Sequence, residues 1–291
     1  MPLVTMKSLL DDAERGGYAV GAFNVANLEM IMGAIRAAEE FSSPIILQIA
    51  EIRLPHSPLA LIGPAMVAAA KRAKVPVAVN LDHGMTLECI REALGLGFTS
   101  VMFDGSRLPI SENICLTGQV RKMAERYGAT TEAEIGVIHP GSESVAEYTN
   151  PEEAASFWRA VQVDALAVAI GNAHGLYHVE PHLRFDVLNQ IGGKVPVPLV
   201  LHGGTGISET DFKKCIQFGI RKINVATATF NSVEYAVQDL CRKRPEAGYF
   251  DLQEAEIGGA YENIKRHIMM FGSAGRAKMG SLRKKGQEAN Q

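Results

Sequence analysis

Short, β-branched apolar runs alternate along this chain with longer stretches in which apolar residues return every three or four positions. "YAVGAFNV" reads as a strand and 28–40 as the helix after it. "SPIILQIA" is followed by a helix over 64–74, "VPVAVNLD" by one over 87–94, and "FTSVMFD" by one over 110–127. "ATTEAEIG" comes next, then an irregular stretch and the helical "NPEEAASFWRAV". "VDALAVAIG" is strand-like, "VPLVLHGGTG" precedes "SETDFKKCIQFG", and "IRKINVAT" precedes "ATFNSVEYAVQDLCRK". The result is roughly eight β-α units with no evident linker, which implies a parallel sheet covered by helices. At this length a closed (β/α)8 TIM barrel is favoured over an open doubly wound sheet. The expectation is one α/β barrel domain over 1–275, followed by a flexible basic tail over 276–291 containing Arg283, Lys284 and Lys285.

Composition narrows the classes. The chain has 291 residues, 47% hydrophobic and 21% charged, with a net charge of -3, as in ordinary soluble globular proteins. The near-neutral balance gives no support to a nucleic-acid partner. No apolar run approaches the ~20 residues of a membrane span, and "MPLVTMKSLL" lacks the charged-then-apolar order of a signal peptide. Cys89, Cys115, Cys215 and Cys241 are scattered, without C-x-x-C spacing, and each falls in a helix-like stretch. They read as buried, reduced thiols of a cytoplasmic protein.

The chemistry gathers at the C-terminal ends of the strands. In order these carry Asn24, Gln48, Asp82-His83, Asp104, Glu134, Gly171 with His174 just beyond, His202 and Asn224. In a barrel those ends converge on one face, where active sites are built. Taken singly, Asn24 and Gln48 are as well suited to satisfying loop backbone groups as to touching a substrate. Asp104 in "FDGS" equally suits a turn, and a lone histidine is more often structural. Convergence changes that balance. His83, His174 and His202 each follow an apolar strand, whereas His56, His139, His178, His182 and His267 do not. Three imidazoles with an open position make a catalytic zinc site. Carboxylates beside one act as further ligands, orienting groups or bases, which gives Asp104 and Glu134 metal roles and leaves Asp82 as a base.

The loops "LHGGTGIS" and "NVATAT" occupy the positions after strands seven and eight, where barrels frequently bind phosphate through backbone N–H groups. Gly203, Gly204 and Gly206 allow close approach to an anion, and Thr205 and Thr227 add hydroxyls. Tight turns without a ligand are the alternative, and the barrel context favours phosphate.

The motifs "GAFNV", "LDHG", "SVMFDGS", "EAEIG", "AVAIGNAHG", "LVLHGGTGI", "KINVAT" and "FGSAGRA" run in order over nearly the whole chain. In them the sequence resembles the class II, zinc-dependent ketose-bisphosphate aldolases of the tagatose- and fructose-bisphosphate type. The resemblance implies a lyase that binds one Zn2+ through His83, His174 and His202. Asp82 would be its catalytic acid/base, and Asp104 and Glu134 would lie at a second or alternate metal position. It further implies phosphate and dihydroxyacetone-phosphate contacts at Gly175, Gly203, Gly204, Thr205, Asn224, Val225, Ala226 and Thr227, and a substrate contact at Asn24. A monovalent cation (Na+ or K+) near the phosphate loop and a homodimer or homotetramer complete what the resemblance implies.

Three departures qualify the match. "VIHPGSESVAEY" stands where the family usually has a glycine-rich acidic loop, with Glu143 the nearest counterpart of its second acid/base. Thr205 replaces a serine. Leu252-Gln253 in "YFDLQEAE" stand where bisphosphate-cleaving members carry Pro-Arg, whose arginine holds the distal phosphate. Glutamine cannot supply bidentate phosphate recognition. The expected substrate is therefore a ketose 1-phosphate or ketose 1,6-bisphosphate, with a non-phosphorylated distal end cleaved better than fructose or tagatose 1,6-bisphosphate. Arg242, Lys243, Arg244 and Arg276 are the basic residues that could stand in for the missing one. A barrel metallohydrolase and a non-catalytic sugar-phosphate-binding barrel remain as alternatives.

Overall fold

A computed structural model describes residues 2–139, 148–175, 177 and 181–277; Glu143, His178 and the tail beyond 277 lie outside them. The chain begins with helix α1 (Met6–Gly16) and then alternates strands and helices. These are β1 (Val20–Asn24), α2 (Leu28–Glu40), β2 (Ile45–Ala50), α3 (Leu59–Arg72), β3 (Val77–Gly84), α4 (Leu87–Gly95), β4 (Ser100–Phe103) and α5 (Ile110–Tyr127). There follow β5 (Thr130–Ile135), α6 (Pro151–Val161), β6 (Ala165–Val168), α7 (Phe185–Gly192), β7 (Leu199–Leu201), α8 (Glu209–Gln217), β8 (Ile220–Val225), α9 (Thr227–Lys243) and α10 (Tyr249–Met270). The strands pair in parallel in sequence order, and β1 closes on β8 with Ala22 opposite Asn224 and Phe23 opposite Val225. This is the expected (β/α)8 barrel. No helix among the described residues is long and apolar enough to cross a membrane.

Several helices start where a short polar side chain caps the first turn. Thr5, Asn27, Thr86, Asn150 and Ser208 each accept a hydrogen bond from a backbone N–H two or three residues on. The helix expected over 64–74 begins instead at Leu59, so Pro64 sits inside α3. The interior proline removes one N–H donor, and the carbonyl it leaves unbonded belongs to exposed Ala60, where water can serve it. Elements unread from sequence are α1, α7 and most of α10; the stretch "YFDLQEAE" forms the first two turns of α10.

Strand side chains alternate between two cores, as the period of two requires. Phe23, Leu47, Val79, Leu81, Val101, Leu166, Val168, Leu201 and Ile223 belong to the layer beneath the helices. Ala22, Ile46, Ala78, Ala165, Ala167 and Val200 form a second, smaller core, sealed by Met6, Leu9, Leu10 and Ala13 of α1. Helix α1 thus plugs the base of the barrel. Two positions further along the inward faces of β1, β3, β7 and β8 come Asn24, Asn80, His202 and Lys222 to Asn224, so the lumen turns from apolar to polar toward its C-terminal mouth.

The thiols depart from expectation in part. All four are free and lie in helices, but only Cys89 and Cys215 are buried, while Cys115 and Cys241 face solvent. Both exposed thiols sit on outer helical faces, so helical periodicity placed the elements correctly and misjudged the face.

Candidate active site

Strict alternation would point Asp82 into the lumen and His83 out toward the helices. The structure avoids this with an irregularity. The β3–β4 register shifts between Leu81 and Gly84, and His83 takes a left-handed backbone conformation with φ 43°. A bulge of this kind re-aims one side chain, and here it brings two consecutive residues to the same mouth.

Three histidines from different strands and loops meet there. His83 Nε2 lies 2.9 Å from His202 Nδ1, and the three ring centroids are separated by 4.8, 4.6 and 5.8 Å. One nitrogen from each of His83, His174 and His202 falls within 4.8 Å of the others. Three imidazole nitrogens gathered in this way are the donor set of a catalytic zinc site. His174 Nε2 is buried without a hydrogen-bond partner while its Nδ1 lies 3.2 Å from the Ile138 carbonyl oxygen, an orphaned lone pair that a metal would satisfy. His83 Nδ1 lies 2.7 Å from Asp104 Oδ2, the carboxylate–histidine arrangement that orients metal ligands. His83, Asp104 and Glu134 form a second ligand group that shares His83 with the first.

Asp82 is almost fully buried and held by two amides. Asn24 donates to Oδ2 at 3.0 Å and Asn224 donates to Oδ1 at 2.9 Å. Burial opposes its ionisation, yet the positive charges of His83 and Lys222 and the Asn24 bond hold its carboxyl below the usual range. Burial also opposes charge on His83, but Asp82, the Asp104 bond and Glu134 raise it to about 10. Burial, reinforced by His83, pushes His174 down to about 4, and the same two causes with Lys222 push His202 well below its ordinary value. His174 and His202 are thus neutral imidazoles, the form that binds metal, whereas His83 would give up its proton to join them. Burial and the charge of Asp104 raise Glu134 to about 8.

These groups floor a cleft of about 450 Å³. Asn24, Asp82, His83, Asp104, Glu134, His174, Gly175, Gly203, Gly204, Thr205, Asn224, Ala226 and Thr227 all line it, and His202 lies buried beneath. Gln48 and Val225 do not. Gln48 accepts from the Asn80 amide at 3.2 Å below the cleft, and Val225 packs beneath the helices. Gly203 adopts φ 67°, and a Cβ there would collide with the Ala173 carbonyl, so the turn requires glycine. Thr205 Oγ1 accepts from the Ala228 N–H at 3.0 Å, which ties this loop to the start of α9. Ala226, the N-cap of α9, has no capping side chain, and beyond the Ala228 N–H taken by Thr205 the start of the helix lines the cleft at Ala226 and Thr227, where an anion suits it.

Several residues here escaped the sequence reading. Tyr177 hydroxyl accepts from the Ala173 N–H at 2.8 Å and donates to the Gly203 carbonyl at 3.1 Å, which links the β6 and β7 loops. Arg53, Ser106, Arg107 and Phe230 line the cleft. Glu132 and Lys222 lie in the lumen below, and the alternation in "TEAEI" and "RKINV" could have found them: each sits two positions before a site residue, on the same strand face. Conversely, Arg242 and Lys243 pair with Asp239, Arg244 with Asp251, Arg276 stacks over Tyr18, and Gln253 donates to Glu29 at 2.7 Å; none of these lines the cleft.

Over residues 4–276 the chain matches the family model for fructose-bisphosphate aldolase class-II. It is 39% identical over 288 residues to the probable fructose-bisphosphate aldolase of Bacillus subtilis (strain 168), spanning 95% of this chain and 100% of that protein. It is 38% identical over 289 residues to a fructose-bisphosphate aldolase of Staphylococcus aureus, spanning 96% and 100%. The crystal structure of the YdjI aldolase from Escherichia coli K12 shares the fold with a TM-score of 0.88 at 36% identity, over 95% of this chain and 100% of that one. These likenesses run through every strand end that builds the cleft, and on that basis the chain belongs to the class-II fructose-bisphosphate aldolase family and is an aldehyde-lyase.

Proposed function

We propose that the protein cleaves a ketose 1-phosphate reversibly into dihydroxyacetone phosphate and an aldehyde, with one Zn2+ held by His83, His174 and His202. The observation that carries this reading is the placement of a buried carboxylate, Asp82, beside three converging imidazoles in a cleft that the start of helix α9 also lines. When bound, the metal supplies electrophilic stabilisation of negative charge at the substrate's carbonyl oxygen. The protein's own groups do the rest. Gly203, Gly204, Thr205 and the first turn of α9 hold the 1-phosphate. Asp82 removes the proton from the C4 hydroxyl in cleavage and returns it in condensation. Asn24 and Asn224 fix both oxygens of that carboxylate, so it meets the substrate in one orientation. Asp104 and Glu134 serve a second metal position, Glu143 is the candidate for proton exchange at C3, and a monovalent cation beside the phosphate loop belongs to the same proposal.

The substrate's distal end follows from the cleft wall. The absence of the family's Pro-Arg removed one cationic partner for a distal phosphate, and the structure lines the cleft with Arg53 and Arg107 instead. Arg53 lies over the Phe230 ring at 5.6 Å. The proposed substrate class is accordingly ketose 1-phosphates with an anionic distal end, whether carboxylate, sulfonate or phosphate, which leaves out the hydroxyl-ended ones the missing arginine had allowed.

The test incubates protein with dihydroxyacetone phosphate and a panel of aldehydes, with and without a chelator, and then compares kcat/KM across the resulting ketose 1-phosphates. Chelator-sensitive condensation with a preference for anionic aldehydes is expected. Arg53→Met and Arg107→Met should each reduce that preference about tenfold while leaving hydroxyl-ended substrates unchanged, the scale of one charge-assisted contact. Turnover that ignores the chelator would reject the zinc assignment, and equal rates for neutral and anionic aldehydes would reject the distal site.

A further inference from the structure

Below the cleft a charged chain crosses the barrel. Lys222 Nζ on β8 lies 2.8 Å from Glu132 Oε2 on β5, and Glu132 Oε1 lies 2.9 Å from Nε2 of His202, the residue after β7. All three side chains are fully buried. Strands β5 and β8 are not neighbours in the sheet, so the Lys222–Glu132 pair must span the lumen rather than brace one edge. A fully buried ion pair is a poor device for stability, because apolar side chains of similar volume serve as well or better. Its position under a metal-ligand histidine gives it another use.

We propose that Glu132, braced by Lys222, is a positioning residue that fixes the tautomer and rotation of His202 for the metal. The inference rests on the zinc reading above. An ionised carboxylate only accepts hydrogen bonds, so its contact with Nε2 places the ring proton there. The lone pair then falls on Nδ1, the atom that faces His83 Nε2. The Asn224 amide, 3.3 Å from Nε2, has a second hydrogen to give beside the one donated to Asp82, but the Glu132 carboxylate is nearer at 2.9 Å and, as a charged acceptor, makes the stronger bond to a ring N–H. The Lys222 charge, 2.8 Å from the far oxygen of Glu132, draws that oxygen to the opposite side of the lumen and restrains the carboxylate beside the ring. Outer partners of this kind commonly alter metal affinity by 10–100-fold.

Two variants separate position from charge. Glu132→Asp keeps the charge and withdraws the carboxylate by one methylene. The double variant Glu132→Gln with Lys222→Met keeps an acceptor of full length and removes both charges. Zinc affinity is measured by equilibrium competition with a chelator. Cobalt substituted for zinc reports coordination through its visible spectrum, and the thermal midpoint of the metal-free proteins controls for folding. Glu132→Asp is expected to lose about 10–100-fold in zinc affinity with an altered cobalt spectrum, while the double variant stays within a few-fold of the original. A wild-type affinity and spectrum in Glu132→Asp would overturn the inference, as would equal loss in both variants. If the unaltered protein binds no zinc, the zinc reading itself fails and this inference with it.

Discussion

The left-handed backbone at His83 makes the neighbouring pair usable. In the proposed reaction Asp82 and His83 serve adjacent atoms of one substrate, and the bulge turns both to the cleft at the cost of a disfavoured φ. The expected consequences differ for the two sites. His202→Ala should lose metal and activity together, and full metal content by elemental analysis would sink its assignment as a ligand. Asp82→Asn should keep its metal and lose cleavage by on the order of 10²-fold or more, the scale of a general base; steady-state rates near those of the parent would remove Asp82 from the mechanism. At this scale the sequence disclosed identity but not geometry. Adjacent Asp82 and His83 at a strand end were conspicuous, whereas the bulge that lets both face the cleft leaves no local signature. Arg53 and Arg107 were invisible for a related reason. They follow strand ends by three residues or more, and loop side chains have no periodicity that would aim them.

At the level of elements, the α5 boundaries coincide with the helix read from periodicity, since Gly128 in a left-handed conformation stops it sharply. Helices α1 and α10 were missed because they lie outside the β-α alternation that guided the reading. One of them carries a pH signature. His267 on α10 is buried among Phe23, Phe212 and Phe271, with Nδ1 2.8 Å from the Asn263 carbonyl oxygen. Burial pushes its pKa from 6.5 down to about 4. The folded protein therefore binds fewer protons than the unfolded chain between those values, and stability that is complete above pH 6.5 is lost as pH falls toward 4. The slope contributed is at most about 1.4 kcal/mol per pH unit. His267→Leu should flatten the acid limb of urea-derived stability over that window, and an unchanged slope would remove His267 as its source. The glycine turn after β7 makes a separate demand. Gly203→Ala should weaken binding of inorganic phosphate and cost about 1–3 kcal/mol from backbone conformation alone, checked by calorimetric titration and urea midpoints.

For the whole molecule, the closed barrel was legible because its evidence was spread over the full length, so local boundary errors averaged out. Pairings across the lumen were not legible, since Lys222 and Glu132 are ninety residues apart and nothing local links them. Assembly is argued at this scale. Helix α9 buries only Thr229 fully, and Tyr235, Tyr249 and Phe250 stand 64%, 68% and 77% exposed on α9 and α10. Together with the family resemblance this supports a homodimer or homotetramer. Light scattering at micromolar concentration should give a multiple of 31.4 kDa, and a monomeric mass would refute it.

The plug at the base of the barrel bears on how the chain is made. Helix α1 is translated before every strand it rests against, and its seat includes Ala165, Ala167 and Val200. At about 5–20 residues per second, roughly 10–40 s separate its synthesis from that of its last contacts. Throughout that interval the apolar face of α1 has no finished surface to occupy. Closure of β1 on β8 waits as long, since those partners lie about two hundred residues apart and Glu14 of α1 itself pairs with Arg221 on β8. The nascent chain therefore carries a sticky helix and an open strand edge for most of its time on the ribosome. Chaperone dependence during synthesis should fall sharply once residue 225 has left the exit tunnel.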